Sequence, residues 1–277
     1  MAELVAGFLL PHVPLIKSST AAAPAGQRSR VFAAFDEISA LLRARAVDTV
    51  IIIGSDHCSL FGSECLPPCL IGTGDVRGPL EDWLGLERQD LPSHPALARH
   101  IIDTGLVDGI DWSVSRNLLV DHAIMIPFHY VVRPNPGQRI IPVYLNAGGD
   151  PALPSWRAAR MGESIAAAVR SWPGDERVAI LGTGGLSHWV GMARMGTVNE
   201  AWDRRIIALE EAGDLAALIA IADADILAEA GNGALEIKNH ICAMAAMPGS
   251  RARLIAYEPV PAWISGCGFM ELQSAAA

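Results

Sequence analysis

The sequence has few charged residues, few aromatics and no long apolar run, and each shortage argues against a class of protein. Charged residues make up 18% and aromatic residues 6% of the 277 positions. No apolar stretch reaches the roughly 18 residues that a transmembrane helix needs. Lysine and arginine form no cluster interleaved with aromatics, and the formal net charge is −9. We therefore expect neither a membrane-spanning protein nor one that binds nucleic acid.

Cysteine is also scarce and shows no pattern. The five cysteines are Cys58, Cys65, Cys69, Cys242 and Cys267. Their odd number favours reduced thiols in a cytosolic protein, and the C-x3-C pair has no second pair that would complete a structural zinc site. The N-terminal MAELVAGFLLPHVPLIKSST carries Glu3 where a signal peptide has basic residues, and prolines interrupt its apolar part. We read it as a strand followed by a loop, and we expect a cytoplasmic protein.

Hydrophobic residues make up 51% of the chain, which is enough for a large buried core. Apolar, β-branched runs predict strands at 3–10, 47–55, 139–146 and 177–185, with a fifth at 252–260 closing the sheet. Apolar residues at a helical period predict helices at 28–46, 154–171, 199–212, 214–230 and 234–247. This alternation predicts one α/β domain over residues 1–277, a sandwich whose largely parallel central sheet is flanked by helices.

The stretch 62–118 does not follow this alternation. It is rich in proline, glycine and tryptophan, and its periodicity is weak apart from a short helix near 95–105. It is too long for a plain connection between two elements. We therefore expect an irregular insert that borders the functional site.

Three of the predicted strands end close to a histidine. His12 follows the first strand in LLPHVPL, His57 follows the second in GSDHCSLFG, and His188 follows the fourth in GTGGLSHWVG. In open α/β sheets, ligands bind outside the carboxyl ends of the strands, so we expect the three imidazoles to meet in one crevice. The GTGG segment lacks the spacing of a dinucleotide fingerprint or a P-loop, which argues against a nucleotide site.

Glu236 supplies a carboxylate for the same crevice, near the start of a predicted helix that follows a Gly-Asn-Gly turn. Two histidines and one carboxylate, with the remaining positions open, form the facial triad of non-haem Fe(II) oxygenases. The residues therefore indicate a metal site built from Glu236 and two of the strand-end histidines. His240, four residues further on, could chelate a metal with Glu236 or form an ordinary surface pair with it.

Each of these residues also has a purely structural interpretation. His12 lies between Pro11 and Pro14 and is compatible with a loop histidine. His57 follows Asp56 and is compatible with a buried ion pair. Sequence adjacency alone does not make Ser187 and His188 a nucleophile–base pair, because the fold determines that geometry.

The other histidines receive different predictions. His94 and His100 lie in the poorly patterned insert, where we expect surface residues. In LVDHAIMIPFHYV, His122 follows an acid at a strand or loop end, which is compatible both with a satisfied core histidine and with one that lines a reactive pocket. His129 lies in the apolar continuation, where we expect a hydrogen-bonded structural residue.

Five segments together resemble the class III extradiol ring-cleavage dioxygenases, the family of protocatechuate 4,5-dioxygenase β subunits. In chain order they are GFLLPHVPL, VIIIGSDHCSLF, LLVDHAIMIPFHY, LGTGGLSHWVG and GNGALEIKNHICA. Each segment is short, but the five occur in the family's order and span nearly the whole chain. The resemblance is therefore specific.

The resemblance implies an Fe(II) ion held by His12, His57 and Glu236. It also implies His188 as the catalytic acid/base and His122 as a second pocket histidine near substrate and O2. The substrate would be a catechol-type compound similar to protocatechuate or gallate. Its ring would be cleaved beside the two hydroxyls with incorporation of both atoms of O2, in the catabolism of aromatic compounds.

The resemblance carries weaker implications for other positions. Asp56 and Asp121 would orient neighbouring groups. His240 stands where we expect an aromatic residue, and it would alter the polarity of the pocket or contact the substrate. Arg116 and Arg194 are candidates for binding a substrate carboxylate by position alone.

Two alternatives stay open. The same scaffold could open the ring of a 2-aminophenol or a hydroxypyridine, since AGFLLPH also resembles aminophenol dioxygenase β subunits. A non-catalytic binding relative is the second, although the retained histidines and glutamate disfavour it. We expect a homo-oligomer or a complex with a small α subunit.

Overall fold

The computed structural model describes residues 1–62 and 64–274, and these form one sheet of nine strands. The strands are β1 (Glu3–Leu10), β2 (Thr49–Gly54), β3 (Cys69–Gly78), β4 (Gln89–Leu91), β5 (Ser113–Leu119), β6 (Arg139–Leu145), β7 (Arg177–Thr183), β8 (Arg251–Val260) and β9 (Ser265–Gln273). Their order is β4-β3-β6-β2-β7-β1-β9-β8, and β5 pairs with β3. The central strands β6, β2, β7 and β1 are parallel, and antiparallel pairs adjoin them on both sides.

Helices cover both faces of the sheet. They are α1 (Leu15–Ser18), α2 (Ala25–Ala44), α3 (Pro95–Val107), α4 (His122–Pro127), α5 (Ser155–Ser171), α6 (Glu200–Ala212), α7 (Leu215–Ala220), α8 (Asp223–Glu229) and α9 (Ile237–Ala246). Ile51 and Ile53 of β2 contribute to the core shared with α3, α5 and α9, whereas Val50 and Ile52 contribute to the core shared with α2 and α4. This alternation is what a strand buried on both faces requires. The prediction of one α/β domain with a mainly parallel central sheet is confirmed.

The predicted strands correspond to β1, β2, β6, β7 and β8, with ends that differ by two residues at most. The helix predicted over 214–230 is interrupted, because α7 ends at Ala220 and Ile221 has extended backbone angles before α8 begins. The segment beyond β8 that forms β9 was not predicted. Its glycines and polar residues give SGCGFMELQ no clear strand period.

The prediction of an irregular insert at 62–118 was wrong. This stretch contains β3, β4, α3 and β5, and it extends the sheet. Glycines concealed β3, because glycine is depleted in strands and three occur in CLIGTGDVRG. One of them is required by a close approach, since a Cβ on Gly74 would lie 2.3 Å from the carbonyl oxygen of Arg116 in β5.

The strand order determines where the predicted site residues lie. β2, β7 and β1 are parallel neighbours, so their carboxyl ends meet at one edge of the sheet. The segments that carry His57, His188 and His12 all start from this edge. In the described part of the chain, no helix is both long enough and apolar enough to cross a membrane.

Candidate metal centre

Three side chains converge beyond the carboxyl ends of β1 and β2. His12 Nε2 and His57 Nε2 lie 2.9 and 3.0 Å from the same atom, Oε1 of Glu236. The two imidazole rings are perpendicular, with centroids 5.0 Å apart. Their ligand atoms and that of Glu236 all lie within 4.8 Å of one another. The arrangement brings together the two histidines and the carboxylate that the resemblance named.

The GTGG segment, which begins at the end of β7, provides the backbone on which Glu236 packs. A Cβ on Gly184 would lie 2.6 Å from the Cβ of Glu236, so only glycine lets the glutamate pack directly on this backbone. The N–H of Gly185 donates to Glu236 Oε2 at 3.0 Å. The 3-10 turn Gly233–Glu236 brings the carboxylate to this position at the start of α9. These glycines therefore hold a carboxylate and form no nucleotide loop.

Hydrogen bonds at the outer nitrogen fix the orientation of His12. Thr183 Oγ1 donates to the carbonyl oxygen of Ile53 at 2.8 Å, so it accepts a hydrogen bond from His12 Nδ1–H at 2.9 Å. The proton of the neutral imidazole is thereby placed on Nδ1. Nε2 is therefore the nitrogen that faces Glu236: it donates a hydrogen bond there while it carries a proton, and it offers a lone pair to a metal once that proton is lost.

Asp121 orients His57 in the same way. His57 Nδ1–H donates to Asp121 Oδ2 at 2.9 Å, and the hydroxyl of Tyr144 donates to Asp121 Oδ1 at 2.9 Å. Burial opposes ionisation of Asp121, but the hydrogen bond and charge of His57 outweigh it and lower the pKa to about 2. Asp121 thus orients a residue far away in the chain, and a ligating histidine commonly donates its second N–H to such a carboxylate.

The electrostatics of the cluster favour a cation. Burial would raise the pKa of Glu236, but the charge and hydrogen bond of His12 hold that pKa well below 4.5. Burial likewise opposes protonation of His57, yet its hydrogen bonds to Asp121 and Glu236 raise the pKa well above 6.5. Both shifts arise because buried carboxylates stabilise positive charge at this point. Two imidazole nitrogens and one carboxylate oxygen fit a divalent metal such as Fe(II).

His188 lies on the other side of the carboxylate. Its Nδ1–H donates to the carbonyl oxygen of Leu186 at 2.8 Å, and its Nε2 lies 3.7 Å from Glu236 Oε2. The Gly-Asn-Gly turn makes room for the ring, because a Cβ on Gly233 would lie 2.0 Å from His188 Nε2. Gly231, with φ +95°, adopts a backbone conformation that glycine favours, and a Cβ there would lie 2.3 Å from the carbonyl oxygen of His188. The turn therefore positions both Glu236 and His188.

His122 is held by a residue that the sequence interpretation missed. Oε1 of Glu81 accepts hydrogen bonds from His122 Nδ1–H at 2.6 Å and from the backbone N–H of His122 at 3.2 Å. The ring of His122 lies against that of His57, with centroids 4.0 Å apart. Burial, followed by the charge of His57, lowers the pKa of His122. Glu81 lies in the stretch predicted to be irregular, and PLEDWLGL contains no local signal that would have singled it out.

Residues 6–270 match the family described as the catalytic LigB subunit of aromatic ring-opening dioxygenase. The chain belongs to this family. It is therefore an extradiol ring-cleavage dioxygenase, in agreement with the resemblance seen in its five segments.

Individual relatives of this LigB-family chain are distant. It is 28% identical over 270 residues to a 2,3-dihydroxyphenylpropionate/2,3-dihydroxicinnamic acid 1,2-dioxygenase of Klebsiella pneumoniae (strain 342), covering 80% of this chain and 84% of the relative. The protein of the same description from Rhodococcus globerulus is 24% identical, with 93% and 94% covered. An uncharacterized protein of Escherichia coli K12 shares the fold, with a TM-score of 0.63 at 10% identity over 97% of this chain and 99% of that one.

A cavity of about 230 Å³, continuous with solvent, opens beside the candidate metal centre of this LigB-family enzyme. His57, His188 and Glu236 form one part of its wall. His122 was predicted to face a pocket, but it is not among the residues that line this cavity, and it lies behind His57. Leu66 and Leu70 reach the cavity from the stretch 62–118, so this stretch does border the site.

The remaining predicted residues lie away from the centre. His94 was predicted at the surface, but it is buried, caps the N-terminus of α3 and lies 3.3 Å from Glu176. His100 is only partly exposed and hydrogen-bonds Ser171.

His129 is partly exposed, and its Nδ1 lies 3.2 Å from an Arg133 nitrogen. Burial and the charge of Arg133 lower the pKa of His129 to about 4.

His240 neither chelates with Glu236 nor lines the cavity. Its Nδ1 is 2.8 Å from Oε1 of Glu210 in α6, and both side chains are almost fully buried. Asp56 also has a local role, because its carboxylate accepts the backbone N–H groups of Leu60 and Phe61 at 2.9 and 3.2 Å. It thereby shapes the loop after His57 without contacting the imidazole.

Asp203 is a second residue that the sequence interpretation missed. This fully buried carboxylate of α6 accepts the N–H of Ser187 at 2.7 Å and the hydroxyl of Tyr257 at 2.6 Å. Ser187 precedes His188, so α6 fixes the loop that carries the catalytic candidate. No motif reveals this role, because only the tertiary fold places α6 beside the loop.

Proposed function

We propose that the protein binds Fe(II) through His12, His57 and Glu236 and uses O2 to open the ring of a catechol-type substrate beside its two hydroxyls. The observation that supports this most is the convergence of both Nε2 atoms on Glu236 Oε1, with each outer nitrogen held by a hydrogen bond. Bound iron would supply the redox chemistry that couples an aromatic diol to O2.

In this proposal His188 is the acid/base residue. Its Nδ1 is occupied by the carbonyl oxygen of Leu186, which leaves the lone pair of Nε2 directed toward Glu236 at the cavity wall. Nε2 takes the proton of a substrate hydroxyl and later returns one to the product, and histidine is suited to this exchange near neutral pH. His122 supports the centre from its position behind His57, with Glu81 fixing its ring.

The test uses protein reconstituted anaerobically with Fe(II) and then exposed to O2 with a panel of catechols, including protocatechuate and gallate. We expect at least one catechol to give a coloured ring-opened product that contains both oxygen atoms of O2, detected by absorbance and by mass spectrometry with labelled O2. If the protein turns over only 2-aminophenols or hydroxypyridines, its substrate belongs to that class and is not a catechol. Lack of turnover across all of them would contradict the proposal.

Two variants separate the metal ligands from the acid/base residue. His12→Ala is expected to lose both bound iron and turnover, because one of three donors is removed. His188→Ala is expected to retain iron and to lose turnover by about 10²-fold or more. Iron loss in His188→Ala would instead identify His188 as a ligand, and undiminished turnover in His12→Ala would contradict the metal centre.

A cytoplasmic location and an assembled form belong to the same proposal. All five cysteines are free thiols, which supports a reducing compartment.

We propose that the chain acts as a homo-oligomer or together with a small α subunit. Light scattering on the purified chain, with activity measured on the same fractions, tests whether it is active as a homo-oligomer without a partner chain.

A further inference from the structure

Away from the metal centre, the cavity wall is apolar. Its apolar side chains include those of Phe61, Leu66, Pro67, Leu70, Val190 and Leu235. Three of these lie within 61–67, and they line the same cavity as His57 and Glu236, so a substituent that extends from the metal centre into the cavity can contact them. Contact between an apolar wall and an apolar group is favourable because both surfaces are removed from water.

The polar side chains of the same wall are already engaged within the protein. Asn146 accepts the N–H of Gly149 at 2.8 Å and donates to the carbonyl oxygen of Pro151 at 2.9 Å. Asn232 accepts the N–H of Val190 at 2.8 Å and donates to the carbonyl oxygen of the same residue at 3.0 Å. These amides hold loops in place. A polar substituent would have to compete with those contacts for its own hydrogen bonds.

The cavity wall has no cationic anchor for a ring substituent. Among the described residues that line it there is neither lysine nor arginine, and the nearest wall carboxylate outside the metal centre is that of Asp56. A substituent carboxylate would therefore lose its hydration without gaining an ion pair from a wall side chain. A bound metal ion would offset the desolvation cost only for substrate groups that coordinate it directly.

Cations near the cavity are engaged elsewhere. The guanidinium of Arg194 stacks 4.0 Å from the ring centroid of Trp189. Lys238 is fully buried, and its ammonium binds Asp223 at 2.7 Å and the carbonyl oxygen of Ala147 at 2.9 Å. Arg116, the other positional candidate, lies on β5 and is not among the residues of the cavity wall.

We propose that the cavity selects a catechol whose ring substituent is an uncharged, apolar hydrocarbon group over one whose substituent carries a carboxylate. This inference rests on the proposed function and narrows its substrate class. It departs from the protocatechuate- and gallate-like acids that the family resemblance implies.

The test compares two ligands of matched ring and chain length, 3-propylcatechol and 3-(2,3-dihydroxyphenyl)propionate. Their dissociation constants are measured by calorimetry on the anaerobic, Fe(II)-loaded protein, and kcat/KM is measured in air. We expect 3-propylcatechol to bind at least about tenfold more tightly and to show the higher kcat/KM. Equal or tighter binding of the acid, or binding of neither ligand, would overturn the inference.

A substitution in the cavity wall provides a second test of the inference. Leu66 is partly exposed, so Leu66→Arg places a cation at the cavity without burying it fully. We expect Leu66→Arg to bind 3-(2,3-dihydroxyphenyl)propionate about tenfold more tightly than the unsubstituted protein does. The matched neutral variant Leu66→Gln should not gain affinity for this acid. If the original protein prefers the acid and Arg194→Met abolishes that preference, Arg194 is the anchor and the inference is wrong.

The outcomes separate this inference from the proposed function. Turnover of unsubstituted catechol together with a preference for the acid would contradict the substrate class alone. Tighter binding of 3-propylcatechol without ring opening of any catechol would contradict the proposed reaction and leave the selectivity of the cavity intact.

Discussion

At the scale of single residues, the identity of Gly233 is set by the space that His188 needs. A Cβ at this position would lie 2.0 Å from His188 Nε2, closer than any van der Waals contact allows. We expect Gly233→Ala to displace the imidazole and to lower kcat/KM by about 10²-fold, because displacements near 1 Å have effects of that size. Iron content should be unchanged, since Gly233 contributes no ligand.

The matched control for this change is Gly26→Ala in α2. A Cβ on Gly26 would meet nothing nearer than 3.4 Å, at the far end of the Arg30 side chain. Its kcat/KM should equal that of the original protein. Full activity in Gly233→Ala would show that His188 does not need its observed position.

Glu81 acts on His122 through one buried contact. Glu81→Ala would leave the Nδ1–H and the backbone N–H of His122 without their acceptor, and an unsatisfied buried donor costs about 1–3 kcal/mol. We expect the free energy of unfolding to fall by that amount and kcat to fall about tenfold or more, with iron retained. Denaturant titration and steady-state kinetics measure the two effects. Exposed Glu87, in the same segment, provides the Glu87→Ala control, in which both quantities should be unchanged.

At the scale of elements, the contact between α6 and the loop 184–190 is tested through Asp203. In Asp203→Ala both the Ser187 N–H and the Tyr257 hydroxyl lose their buried acceptor. We expect a loss of about 1–3 kcal/mol in stability and a lower kcat with unchanged iron content. Tyr257→Phe removes only the second bond, so it should lower stability with little effect on kcat. Equal effects of both changes on kcat would refute a role for α6 in positioning His188.

The sequence predicted some strands and missed others, and the way each strand packs explains the difference. β2 and β7 are unbroken apolar runs buried on both faces, so composition alone identified them. β3 and β9 contain glycines where backbone or side-chain atoms of neighbouring segments approach too closely for a Cβ, and glycine-rich sequences resemble loops. The position of the strand ends was therefore predictable, whereas the extension of the sheet through the stretch 62–118 was not.

At the scale of the whole molecule, the same distinction applies to the site. His12, His57 and His188 were predictable because each follows a strand end, and parallel topology brings such ends together. Glu81 and Asp203 were not predictable, since each contacts its partner only through tertiary folding. Likewise, nothing local distinguishes His240, which pairs with Glu210, from a histidine that faces a ligand. Residues that hold the site in place are therefore harder to predict than the residues they hold.

The metal centre links distant parts of the chain, and this gives a prediction for global stability. Its proposed ligands lie at positions 12, 57 and 236, so an ion that binds all three binds the folded state in preference to the unfolded chain. At a free metal concentration about 100 times its dissociation constant, the stabilisation is about 2.7 kcal/mol. For a chain of this size the expected rise in Tm is about 5 °C or more.

Calorimetry on the chelator-treated protein, before and after addition of Fe(II) under anaerobic conditions, measures this rise. Glu236→Gln keeps the shape of the side chain and removes its charge, so it should abolish most of the increase. Gln27, which hydrogen-bonds the carbonyl oxygen of Pro259 far from the ligands, supplies the control variant Gln27→Ala, which should keep the full increase. An equal rise in Glu236→Gln would mean that the ion binds elsewhere, since removal of one of three ligands from a buried centre must weaken it.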